Sequence, residues 1–224
     1  MSTHLKTVIF VTLGTTALLF GCATTKPLAD ACLSPLSPAI KNSCVVTPNS
    51  LWRGEQPSTE GANALISLGV KTVVNLELLH DDRAAFHAAR SSTELVTYID
   101  YFRIPDWEPN AKFFPELLDA HVANFIAIVK TQEKPIYVHC RSGQNRTGVM
   151  VAAYRVLVEG VSIESAIAEV QRYKGVWFDS EAKYLRSLTD EHRKSIEKLI
   201  EVRIAKVTRE ARFECFATGC KEKK

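Results

Sequence analysis

One short run, His139-Cys-Arg-Ser-Gly-Gln-Asn-Arg-Thr-Gly148, gathers a nucleophile, two fixed cations, two glycines and two hydroxyls. It lies between an apolar stretch that suits a strand, Pro135–His139, and a helical pattern over about 146–159 closed by Gly160. A loop from a strand end into a helix N-terminus turns backbone N–H groups into one bowl. The helix dipole adds about half a positive charge there. Gly143 lets the backbone curl, and Arg146 offers a planar fork for two oxygens of a tetrahedral anion. Arg141, Ser142, Gly143, Gln144, Asn145 and Arg146 are therefore expected to cradle a phosphate-like dianion.

Cys140 sits at the base of that bowl. A free thiol has a pKa of about 8.5, which helix N-termini and nearby cations bring down to about 3.5–7.5. The expected chemistry is in-line attack on phosphorus by a thiolate, with Thr147 donating a hydrogen bond to the sulfur when it leaves. His139 is expected to order the loop and not to act as a base. Arg141 faces either a second phosphate or solvent, Gln144 is a candidate for placing an attacking water, and Arg53 either anchors the sheet end or touches the site.

The elements that must position these residues follow from periodicity. Ser58-Thr-Glu-Gly61 caps a helix carrying Ala62, Leu65, Ile66 and Leu68, and Gly69 ends it. Lys71–Leu76 reads as a buried strand, residues 81–92 as a short helix, and Leu95–Ile104 as another strand. Pro115 opens a helix over about 115–130 with Leu117, Leu118, Val122, Phe125, Ile126 and Val129 expected on one face. Ser162 caps a helix over 163–173, and about 180–211 reads as charged and helical. Strands alternating with helices predict an α/β domain with a central, mostly parallel sheet flanked by helices.

His139-Cys140-x-x-Gly143-x-x-Arg146-Thr147-Gly148 resembles the signature loop of the protein tyrosine and dual-specificity phosphatases. The resemblance spans roughly residues 50–180, including Leu51-Trp-Arg-Gly-Glu-Gln-Pro57 and the Lys71–Leu76 strand, which look like small bacterial and plant-type members. It implies a phosphocysteine intermediate, no metal or cofactor, and an aspartate on an upstream loop as general acid. Asp106, in Arg103-Ile-Pro-Asp-Trp-Glu-Pro109, stands at a similar offset, with Glu108 as its rival. An acid is needed because an alkoxide or phenolate requires a proton as the P–O bond breaks. Trp107 either walls the entrance or packs the loop. The alternatives are a phosphate-binding lipoprotein without turnover and rhodanese-like sulfur transfer, which also uses a Cys-to-Arg loop. The expected substrate is a phosphoprotein, a phosphoinositide or an inositol phosphate.

The chain's 224 residues, 46% hydrophobic and 24% charged, fit one soluble domain. Net charge is +3 and, outside the terminal Lys-Glu-Lys-Lys, thinly spread, unlike the dense basic stripe of a nucleic-acid binder. No nucleic-acid partner is expected.

Lys6 precedes an apolar run, Val8–Phe20, shorter than the roughly 20 residues a membrane span needs. It suits a signal peptide over residues 1–21. Leu19-Phe20-Gly21-Cys22 resembles a bacterial lipobox, which implies lipidation of Cys22, and Ala23 after it implies an outer-membrane lipoprotein facing the periplasm or cell surface. Residues 22–48, rich in Pro, Ser and Thr, read as a tether to a catalytic domain over 49–224 that ends in a helical extension. Cys32, Cys44, Cys215 and Cys220 remain as disulfide candidates in an oxidising compartment. Three connectivities are open, of which local pairing closes short loops. Spacing offers no metal site.

Overall fold

The computed structural model describes residues 35–92, 95–173 and 179–223. The signal peptide, Cys22 and Cys32 lie outside the described residues. Seven strands are described: β1 (Cys44–Thr47), β2 (Leu51–Glu55), β3 (Thr72–Glu77), β4 (Thr97–Asp106), β5 (Ile136–Cys140), β6 (Ala211–Phe216) and β7 (Gly219–Lys223). They form one sheet in the order β1-β2-β5-β3-β4-β6-β7. The four central strands, β2, β5, β3 and β4, run parallel, while β1 and the β6–β7 hairpin join antiparallel at the edges. The expected mostly parallel α/β sheet is what the chain builds.

The strands alternate between two covered faces, so both sets of side chains are buried. On one face α1 (Thr59–Ser67) and α2 (Arg83–Ala88) pack Leu65, Ile66 and Phe86 over Val73, Tyr101 and Tyr137. On the other, α4 (Pro115–Thr131), α5 (Asn145–Leu157), α6 (Ile163–Gln171), α7 (Asp179–Arg186) and α8 (Asp190–Ile204) cover Val74, Phe102 and Val138. A one-turn helix, α3 (Asn110–Phe113), precedes α4. Ser58 and Ser162 cap α1 and α6 through their hydroxyls, as their positions predict.

Two expectations are corrected. The tether does not extend to residue 48: Cys44 and Val46 alternate inward in β1, which pairs with β2. The charged C-terminal helix stops at Ile204, and the chain finishes as a hairpin on β4. Its signal is a period of two: Ala211, Phe213 and Cys215 turn inward, and Phe213 stacks on Phe86 at 5.1 Å. Cys215 and Cys220 form a disulfide across the hairpin. Cys44 is also disulfide-bonded. Cys140 is a free thiol.

Candidate active site

The four parallel strands end at one rim of the sheet, where α/β proteins place their ligands. Their last residues are Glu55, Cys140, Glu77 and Asp106. Register sets Cys140 beside Glu55, His139 beside Asn75, and Glu77 beside Asp106. Topology thus brings together residues from four distant segments.

The loop after Cys140 is held from outside by its carbonyls. Asn42 Nδ2 donates to Ser142 O at 2.8 Å, and Arg53 Nη2 to Gly143 O at 2.7 Å. In a planar trans peptide the N–H points opposite the C=O, so outward carbonyls turn the following amides inward. Gly143 has φ of +69°, and a Cβ there would meet the Gly54 backbone at 2.4 Å. Only glycine fits.

Of its two expected roles, anchoring the sheet end or touching the site, Arg53 takes the second, by holding the loop at Gly143 O. Its guanidinium is fully buried and lies 3.7 Å from the centre of the Tyr173 ring. Burial pulls its pKa below the ordinary value, opposed by the nearby Tyr173, Glu169 and Cys140. Gln144 Nε2 donates to Tyr173 O at 2.6 Å, so its amide braces the loop against the end of α6 instead of reaching over the bowl. The water-placing role expected of it is not what its side chain does here.

His139 and Cys140 occupy opposite faces of β5. Cys140 joins the core with Val138, whereas His139 stacks on Tyr137 at 5.7 Å. His139 Nε2 lies 2.7 Å from Asp82 Oδ2, both groups fully buried. The histidine therefore orders the strand end and is turned away from the sulfur, as expected. Asp82 is fixed in turn by its own N–H, which donates to Tyr101 Oη at 3.1 Å.

Arg146, in the first turn of α5, is held by two carboxylates. Its Nη2 lies 2.8 Å from Glu77 Oε1 and its Nε 2.9 Å from Glu108 Oε1. The same Glu77 oxygen accepts the Arg141 N–H. Glu77 thus spans the first amide of the loop and its clamp cation, two partners a phosphate would take. The Arg141 side chain is exposed. Thr147 Oγ1 is buried and makes no hydrogen bond, so the expected bond to Cys140 Sγ is not formed in this arrangement.

Asp106 closes β4 and is only 3% exposed. Its Oδ1 accepts from Asn110 Nδ2 at 2.9 Å and lies 2.8 Å from His121 Nδ1. Arg146 Nη1 donates to its main-chain oxygen at 3.3 Å. Asp106, Trp107, Glu108 and Arg146 line one small cavity, and Trp107 is 46% exposed, so it walls the entrance.

Sequence reasoning missed Glu77, Asn42, Asp82, Asn110, His121 and Tyr173. A carboxylate at the C-terminal end of a buried strand, as at Glu77, is a usable signal in an α/β chain. The others acquire their roles only through contacts between distant segments.

Comparison with known proteins agrees with this geometry. The family described as DSP-PTPase phosphatase fused to NAD+ kinase matches residues 41–187. Dual specificity protein phosphatase TpbA of Pseudomonas aeruginosa (strain UCBPP-PA14) is 30% identical over 157 residues, covering 69% of this chain and 64% of that protein. The chain thus spans slightly under two thirds of that relative's length. The crystal structure of P. aeruginosa TpbA, as a cysteine-to-serine variant in complex with phosphotyrosine, shares the fold with TM-score 0.52 and 23% identity, covering 75% of this chain and 97% of that one. The core catalytic domain of the PP-IP phosphatase SIW14 from S. cerevisiae, in complex with citrate, does so with TM-score 0.54 and 16% identity, covering 71% and 93%. By the extent of the family match and the fold it shares, this chain belongs to the DSP-PTPase family of cysteine-based phosphatases.

Proposed function

We propose that the chain hydrolyses phosphomonoesters through a phosphocysteine intermediate. The Cys140 thiolate attacks phosphorus, the P–O bond breaks, and Asp106 gives its proton to the leaving oxygen. Water then attacks the phosphocysteine, Asp106 takes a proton from it, the P–S bond breaks, and phosphate leaves with the thiolate restored. Arg146 and the loop amides stabilise the equatorial oxygens, the kind of contribution that is usually largest in such sites. Thr147 Oγ1, buried in the first turn of α5, donates a hydrogen bond to the departing sulfur.

The observation that carries this reading is the outward anchoring of the loop carbonyls by Asn42 and Arg53. It turns the amides of Gly143 and Gln144 inward, in the loop that follows a free cysteine. The test is hydrolysis of p-nitrophenyl phosphate by the protein in EDTA. Turnover lost in Cys140→Ser and indifferent to chelation supports the reading; turnover that survives the serine change defeats it.

The substrate follows from what the rim offers, an exposed tryptophan beside the acid and clamp, together with the phosphotyrosine bound by the TpbA variant. A phosphotyrosine protein is the proposed class. A panel of phosphotyrosine peptides, phosphoserine peptides and inositol phosphates tests it, and preference for inositol phosphates by kcat/KM would reassign it. The leader supports a second proposal: export and lipidation at Cys22, giving an outer-membrane lipoprotein. Labelling with a fatty-acid analogue in cells checks this, and label that persists in Cys22→Ala speaks against it.

A further inference from the structure

Two side-chain nitrogens converge on one oxygen of Asp106. Asn110 Nδ2 and His121 Nδ1, at 2.9 and 2.8 Å, both meet Oδ1. Asn110 opens α3 and is buried, and His121 lies in the second turn of α4. Resting on the phosphocysteine reading above, we infer that His121 and Asn110 are positioning residues for the general acid. They hold Asp106 by Oδ1 and leave Oδ2 as the oxygen that carries the proton to the leaving group.

The physical reason is donor and acceptor arithmetic. A protonated carboxyl has one O–H donor and keeps acceptor capacity on its other oxygen. Asn110 Nδ2 donates to Oδ1, and with the proton of His121 on Nδ1 a proton on Oδ1 would face two donors, so the favoured site is Oδ2. Orientation matters because a misplacement of about 1 Å in a reacting group can cost about 100-fold in rate. The same residue is tied at its main-chain oxygen to Arg146 Nη1, at 3.3 Å, so one side chain clamps phosphate and fixes the acid's backbone.

Glu108 is set up differently. It spends its carboxylate on Arg146 Nε, is one-third exposed, and must yield that cation to the phosphate. The acid is the carboxylate held by donors that phosphate does not need.

The test is a comparison of kcat/KM for phenyl phosphate, a poor leaving group, and 2,4-dinitrophenyl phosphate, a good one. Asp106→Asn is expected to lose about 100-fold on the first and under about 3-fold on the second, as a missing general acid does. His121→Leu should show the same selectivity at about 10-fold, and His121→Asn, which keeps a donor near the Nδ1 position, should recover most of it. In the Asp106→Asn background, His121→Leu should cost nothing more. Thermal melts of each variant separate these effects from loss of fold.

Equal losses on both esters, or losses that multiply in the double variant, overturn the inference. So does leaving-group selectivity in Glu108→Gln but not in Asp106→Asn. Unchanged turnover in Cys140→Ser is a different failure, that of the phosphocysteine reading itself.

Discussion

Arg146 meets two carboxylates of unlike standing. Glu77 is buried and also takes the Arg141 amide, whereas Glu108 is one-third exposed. Breaking a buried pair leaves an uncompensated charge and costs about 3–5 kcal/mol, while an exposed pair contributes about 0–1 kcal/mol. Glu77→Gln is therefore expected to lower the melting temperature and to raise KM by misplacing the guanidinium. Glu108→Gln should leave stability nearly unchanged and tighten inhibition by inorganic phosphate by no more than about 5-fold, the equivalent of about 1 kcal/mol. Thermal melts and phosphate inhibition constants distinguish the two. Equal effects would show that both carboxylates act alike.

Elements carry their own predictions. The loop closes against β2 at a backbone-to-backbone contact, so Gly143→Ala must move Gly54 or itself. Loss of phosphate binding with an intact far-ultraviolet spectrum is the expected result. At the opposite edge, the β6–β7 hairpin is stapled by Cys215–Cys220 and seated by Phe213. Phe213→Ala should cost about 3–5 kcal/mol, and replacing both cysteines with serine about 2 kcal/mol from the short loop they close. Denaturant titration measures both. The exposed charges of Lys221, Glu222 and Lys223 along β7 suit an edge strand that must not recruit another chain. Between α4 and α8, His192 Nε2 lies 2.8 Å from Asp119 Oδ2. Burial lowers the His192 pKa, but bonds to Asp119 and the Ser187 carbonyl outweigh it, and the net shift is upward. The stabilisation is then full below the unfolded value of about 6.5 and is lost as pH rises through the folded one. His192→Ala should lower the melting temperature more at pH 5 than at pH 8.5.

Across the whole molecule, the reach of sequence reasoning is set by sequence distance. Cys140, Arg146 and Gly143 were legible because strand, loop and helix follow one another and the bowl is local. Helix caps at Ser58 and Ser162 were legible for the same reason. Asp106 was legible as a residue in a Pro-bounded loop, but not as a carboxylate pinned by Asn110 and His121. β1 and the final hairpin were misread because both stretches are short, and their period of two is masked by prolines or by charge.

The sequence by itself determined the α/β framework and the strand–loop–helix that carries Cys140 and Arg146, since each depends on residues a few positions apart obeying local backbone rules. The tertiary structure alone decided which carboxylates face Arg146, what holds the loop carbonyls, and which oxygen of Asp106 meets Asn110 and His121. Those choices rest on parallel strands ending at a common rim, which places Glu55, Glu77, Asp106 and Cys140 side by side across some 85 residues of chain.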